Sequence, residues 1–212
     1  MYYQTGNQFS RIFMFEAMTA QSRFVPDLDC IDLHNERVSE LVTILSQAIG
    51  LAEQKIKEFA WAARVHDVGK RFISEDIRNK PGKLSQPEFN KMQAHCVAGY
   101  QMLYRLGYDE IFLNTALYHH ENWDGSGYPD GLREDNIPLE AQVCSICDVY
   151  EALRATRCYK ASKTHKEAVK IILALFGSKF NPKLRPFFVK ALPEFEKLES
   201  LILADSQAQL SV

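Results

Sequence analysis

The run His119-His-Glu-Asn-Trp-Asp-Gly-Ser-Gly-Tyr-Pro129 sets two adjacent imidazoles, with carboxylates close by, against a glycine-bearing loop. Imidazole nitrogens and carboxylate oxygens are ligands for borderline divalent metals. Upstream, His66-Asp67 falls within Arg-Val-His-Asp-Val-Gly-Lys, and His34, His95 and Asp148 stand at well-separated positions, as ligands gathered from several helices would. Five of the six histidines therefore belong to one constellation. A His-Asp pair alone is common, and a lone histidine on an apolar face is usually a hydrogen-bonded core residue. The order of the pieces, rather than any one of them, points to a metal centre.

Such ligands need rigid elements to hold them. Nearly every periodic segment has helical spacing and no alternating strand pattern stands out, so the fold class is all-α. The spacing predicts helices over about 8–22, 29–48, 52–66, 86–106, 109–120, 139–156, 164–176 and 183–202. Ser85 with Glu88, and Thr164 with Glu167, have the spacing of capping boxes. His165 lies inside the second box and is read as a surface residue. Pro81-Gly82 makes a turn before the His95 helix, while Gly125, Gly127, Pro129 and Gly131 keep 121–136 from continuing as helix, leaving a loop to cover the site. Residues 1–28 are too few for a separate sensor domain and form an N-terminal helical extension to a domain over 29–212. In the extension, Phe9, Ile12, Phe13, Phe15 and Met18 fall on one helical face, for which core packing is the first reading and a homodimer contact the second.

Composition agrees with one compact enzyme: 212 residues, 46% hydrophobic, suffice for a sizeable core. A formal net charge of -2 argues against bulk attraction to nucleic acid or an anionic membrane, although a local basic cluster can still hold a phosphate ligand. No leader pattern and no apolar run of about 20 residues is visible, which makes the cytoplasm the expected location and a membrane span unexpected. Cys30, Cys96, Cys144, Cys147 and Cys158 are an odd set, read as reduced thiols. Cys144-Ser-Ile-Cys147 has redox-motif spacing but lies in an apolar helical pattern, so two core residues one turn apart is the preferred reading.

In their order these motifs resemble the HD-GYP family, the branch of the HD phosphohydrolase superfamily that hydrolyses cyclic dinucleotides such as cyclic di-GMP. The resemblance runs from about Cys30 to about Leu192. It includes His34-Asn-Glu-Arg37, the HDVGK run from His66 to Lys70, Asn79-Lys-Pro-Gly-Lys-Leu84, His95, HHENWDGSGYPDGL from His119 to Leu132, and Asp148-Val-Tyr-Glu-Ala-Leu153 leading to Arg157 and Lys160. It implies an HD-domain helical bundle with the GYP loop over a metal centre, and hydrolysis of cyclic di-GMP to linear pGpG and onward to GMP. On that pattern Asp67 bridges two divalent transition metal ions, iron or manganese. His34, His66 and Asp148 complete one site, His95 and His119 serve the other, and His120 binds the second or a third metal. Two metals can activate the nucleophile, stabilise phosphoryl charge and help the leaving alkoxide, so no serine or cysteine nucleophile is required.

The same resemblance assigns Lys70, Arg157 and Lys160 to substrate phosphate, with Lys70 also placed to stabilise or protonate the leaving oxygen. The alternative for Lys70 is a pair with a local carboxylate, and for Arg157 and Lys160 a solvated helix-end cluster. Tyr128 lines the pocket, Trp123 and Asp124 brace the loop, and Arg37 either contacts ligand or holds its helix by a salt bridge. One departure stands out: Cys30 occupies the position of the glutamate that three-metal family members carry four residues before the first histidine, which favours two metals and makes a third doubtful. Besides cyclic di-GMP the readings kept open are cyclic GMP-AMP hydrolysis, another HD phosphohydrolase activity, and a non-catalytic module that binds a cyclic dinucleotide or a signalling protein through the GYP loop.

Overall fold

Val38, Leu41, Val42 and Leu45 recur at intervals of three and four, so they share one side of the first described helix, α1 (Asp29–Ile49), and all four are buried. The computed structural model describes residues 29–155 and 162–209, with backbone alone for 29–32 and 201–209. The chain divides into two units, Met1–Leu33 and His34–Val212. The expected helix over 8–22, its apolar face, Arg157, Lys160 and Cys158 all lie outside the described residues, and Cys30 is placed by its backbone alone on α1.

Seven further α-helices follow: α2 (Glu53–Arg64), α3 (Glu75–Arg78), α4 (Gln86–Arg105), α5 (Glu110–Tyr118), α6 (Leu139–Arg154), α7 (His165–Leu175) and α8 (Arg185–Gln209). Among the described residues there is no strand, only an isolated bridge between Phe176 and Phe180. The all-α reading therefore holds. Both capping boxes form: the Ser85 amide donates to Glu88 Oε2 at 2.7 Å, and the Thr164 amide to Glu167 Oε2 at 2.8 Å. No helix among the described residues is long and apolar enough to cross a membrane.

The core joins the α1 stripe to Phe59 of α2, Cys144 and Cys147 of α6, Ile172 of α7, and Phe188 and Phe195 of α8. Cys144 and Cys147 are thus packing residues, as their apolar pattern indicates. His165 differs from its surface assignment. Its Nδ1 lies 2.7 Å from the hydroxyl of the fully buried Tyr150, because the first turn of α7 packs on α6.

Two helices end earlier than their periodicity suggests, and both ends matter. α2 stops at Arg64 and α5 at Tyr118, leaving His66-Asp67 and His119-His120 on the turns that follow. After Asp67 the chain makes a 3₁₀ turn over Val68–Phe72 that packs on α4. Gly69 permits this contact: a Cβ there would lie 1.9 Å from the His95 carbonyl oxygen and 2.5 Å from the Gly99 amide nitrogen. Backbone therefore meets backbone, and Asp67 is brought against His95.

Candidate metal centre

The site is a polar end to stripes that are otherwise apolar. His34 precedes Val38 by one turn on α1, and Asp148 follows Cys144 by one turn on α6. From the other side, His95 stands on the α4 row that continues to Gly99 and Leu103. His66, Asp67, His95 and His119 are at most 2% exposed. Three sets of donor atoms each lie within 4.8 Å of one another: His34, His66 and Asp148; His66, Asp67 and His119; and His95, Cys96, His119 and His120. His34, His66, Asp67, His95, His119, His120 and Asp148, the expected metal ligands, are all brought to one place.

The imidazoles are oriented by backbone carbonyls. Nδ1 of His66 lies 2.6 Å from the Ala63 oxygen, Nδ1 of His95 2.8 Å from the Met92 oxygen, and Nδ1 of His119 3.0 Å from the Thr115 oxygen. A carbonyl can only accept, so each Nδ1 carries a proton and each Nε2 is left to face inward. For His66 and His119 the acceptors are last-turn carbonyls of α2 and α5, which also accept the same residues' backbone amides at 3.4 and 3.2 Å. Fixing the tautomer through the far nitrogen is how metal-binding histidines are commonly held.

What the lone pairs face decides whether a cation fits. His95 Nε2 and His119 Nε2 are 3.4 Å apart, and Asp67 Oδ1 lies 3.4 Å from the former and 3.7 Å from the latter. Burial, with His119 beside it, pulls His95 down to about 4. Burial also lowers His119 and His120, so these rings favour the neutral, ligating form. Two ligand nitrogens on a tetrahedral ion, with bonds of about 2.1 Å, would be separated by roughly 3.4 Å. His66 Nε2 and Asp67 Oδ1 are buried without any hydrogen-bond partner. Unsatisfied buried polar atoms are costly, and divalent cations would satisfy them. The clusters fit divalent metal binding.

Charge is arranged around the same point. Burial alone would raise Asp67, yet His66 and Lys70 outweigh it and hold the carboxyl well below the usual range. Lys70 Nζ pairs with Asp67 Oδ2, so the local-carboxylate alternative for this lysine is realised on the central aspartate itself. Burial works against a charge on His34, but Asp148 and Glu151 outweigh it and raise this ring to about 9. The GYP loop closes the site: Tyr128 sets its ring 4.8 Å from that of His120 and 6.0 Å from that of Phe89. Trp123 and Asp124 brace the loop through their amides, which donate to Lys179 and Ser178 carbonyls at 3.0 and 2.9 Å.

Two supporting carboxylates were not singled out from the sequence. Glu121, 2% exposed, accepts the Asp130 and Gly131 amides at 2.8 and 3.0 Å and ties the loop to its own base. Glu151 accepts the Nδ1 proton of His34, and Arg37 stands 3.6 Å from its other oxygen, so Arg37 acts as the helix-holding ion pair. The available signal for Glu151 was its place three residues after Asp148, on the same helical face. Removing an outer partner of a metal-binding histidine typically costs about 10–100-fold in metal affinity. Glu151→Ala should weaken metal binding by that factor in competition with a chelator, while Glu151→Gln keeps an acceptor and loses less. Wild-type affinity in the alanine variant would deny Glu151 this role.

The family model described as HD domain matches residues 18–184, beginning inside the segment read as an extension. Over 167 residues the chain is 36% identical to the cyclic di-GMP phosphodiesterase response regulator RpfG of Xanthomonas campestris, covering 77% of this chain and 44% of that protein. It is 37% identical over 164 residues to the 3′3′-cGAMP-specific phosphodiesterase 2 of Vibrio cholerae, covering 76% of this chain and 31% of that one. The chain thus spans less than half the length of either relative. A solved HDG"Y"P protein of Bdellovibrio bacteriovorus shares the fold, with a TM-score of 0.63 at 20% identity over 80% of this chain and 52% of its own.

Proposed function

Because this chain belongs to the HD-domain family, in its HD-GYP branch, we propose that it is a metal-dependent phosphodiesterase that opens cyclic di-GMP to linear pGpG. The observation that carries this reading is the convergence of the His66, His95 and His119 Nε2 atoms on the buried Asp67, whose Oδ1 has no hydrogen-bond partner, beneath a GYP loop. His34, His66 and Asp148 would hold one metal, His95, His119 and His120 the other, with Asp67 shared between them. Iron or manganese suits this mixed nitrogen and oxygen set. Two metals are proposed rather than three, since Cys30 stands where a further carboxylate would be needed. When bound, such ions supply Lewis acidity and a nucleophile stronger than neutral water.

The chain's own groups do the rest. The Nδ1 bonds to backbone carbonyls fix the ligand rings before substrate arrives. Lys70, beside Asp67, is placed to meet charge on a phosphoryl or leaving oxygen and to return a proton to it. Tyr128, packed on His120 and Phe89, forms an aromatic wall suited to a flat base. Arg157 and Lys160 follow Asp148 by nine and twelve residues and would grip phosphate.

The Vibrio relative named as specific for 3′3′-cGAMP supports a second reading, with that mixed dinucleotide as substrate. Anaerobically metal-loaded protein should be offered both dinucleotides and the products identified by mass. Cyclic di-GMP should yield pGpG, and chelation should abolish turnover. Equal rates in metal-free and metal-loaded protein would overturn the mechanism, and turnover of the mixed dinucleotide alone would select the second reading.

A further inference from the structure

We infer that Cys96 gives its sulfur to the metal held by His95, His119 and His120, an inference that rests on the metal-centre reading above. Cys96 Sγ lies 3.5 Å from His95 Nε2, and the four donor atoms of these residues all lie within 4.8 Å of one another. A sulfur and a nitrogen on one tetrahedral ion, with bonds of about 2.3 and 2.1 Å, would be separated by roughly 3.6 Å. The nitrogen pair in the same cluster has the matching spacing of 3.4 Å.

A second observation points into the same spot. Asp67 Oδ1 is buried without a hydrogen-bond partner and lies 3.4 Å from His95 Nε2, the atom that Cys96 also approaches. The ordinary account of a buried cysteine is apolar packing. That account suits Cys144 and Cys147, which sit in the hydrophobic core cluster. Cys96 is equally buried but stands outside that cluster, facing imidazoles instead.

On ligation the thiol releases its proton to solvent and the sulfur binds as thiolate. A sulfur donor makes this position softer than a nitrogen and oxygen site, favouring iron, cobalt or zinc over manganese. The structure therefore assigns the two positions different metal preferences, with His34, His66 and Asp148 the harder set.

Anaerobic titration of the metal-free full chain with cobalt(II) tests this, reading both bound cobalt and absorption. Wild-type protein should develop the intense near-ultraviolet sulfur-to-cobalt charge-transfer band as the metal fills. Cys96→Ser, which keeps the side chain's size, should lose the band while cobalt still binds at the neighbouring histidines, and Cys30→Ser should retain it. Stoichiometric cobalt without the band in wild type would overturn the assignment and leave the metal-centre reading standing. So would a band that survives in Cys96→Ser and disappears in Cys30→Ser. Failure of wild-type protein to bind cobalt would overturn both.

Discussion

Asp67→Ala should leave the protein unable to retain either metal and reduce turnover by more than about a hundredfold. The loss of an outer hydrogen-bond partner already costs about 10–100-fold, so removal of a shared ligand must cost more. Asp67 is the one carboxylate that His66, His95, His119 and Lys70 all face. Taking it away also leaves the Lys70 ammonium without that partner, and an uncompensated positive charge there repels an incoming cation. Asparagine at this position keeps the shape but only a neutral oxygen, and should recover little of the affinity. Elemental analysis of protein purified with excess metal, alongside turnover, checks the result. Two retained metals with full activity would remove Asp67 from the bridging role.

Gly69→Ala should have the second large effect, although this residue offers no ligand. Its added methyl would stand 1.9 Å from the His95 carbonyl oxygen and 2.5 Å from the Gly99 nitrogen, atoms of a helix backbone that cannot rotate away. Gly99 faces the same contact from α4, where a Cβ would come within 3.3 Å of the Gly69 nitrogen. Overpacking of this kind costs about 3 kcal/mol, or roughly 6–12 °C in melting temperature for a chain of this size. Melting should be compared between metal-free forms, so that the packing cost is read by itself. The retreating turn carries Asp67 away from His95, and metal affinity should fall with it. A melting temperature and metal affinity equal to wild type would show that the turn can move without consequence for the site.

Much of this molecule is legible along the chain because its determinants are local. Helical periodicity at three and four residues marked the α1 and α6 stripes, and the capping boxes at Ser85 and Thr164 depend only on groups three residues apart. The ends of α2 and α5 were less legible. His66 and His119 continue the helical pattern in residue type, yet packing draws them onto turns where their Nδ1 atoms reach the last-turn carbonyls.

The sequence by itself determined the all-α class, the inventory of histidines and aspartates, and the loop that covers them, since each follows from residue type and short spacing. Only the tertiary structure decided who meets whom. Glu151 reaches His34 across 117 residues, Gly69 seats the Asp67 turn on α4, and Cys96, one among several cysteines by spacing, faces three imidazoles where Cys144 and Cys147 face the core. The reason is geometric. Periodicity tells which side of a helix is buried, but the turn of one helix that meets a given turn of another is set by how closely their backbones approach, and here that approach depends on the missing side chains at Gly69 and Gly99.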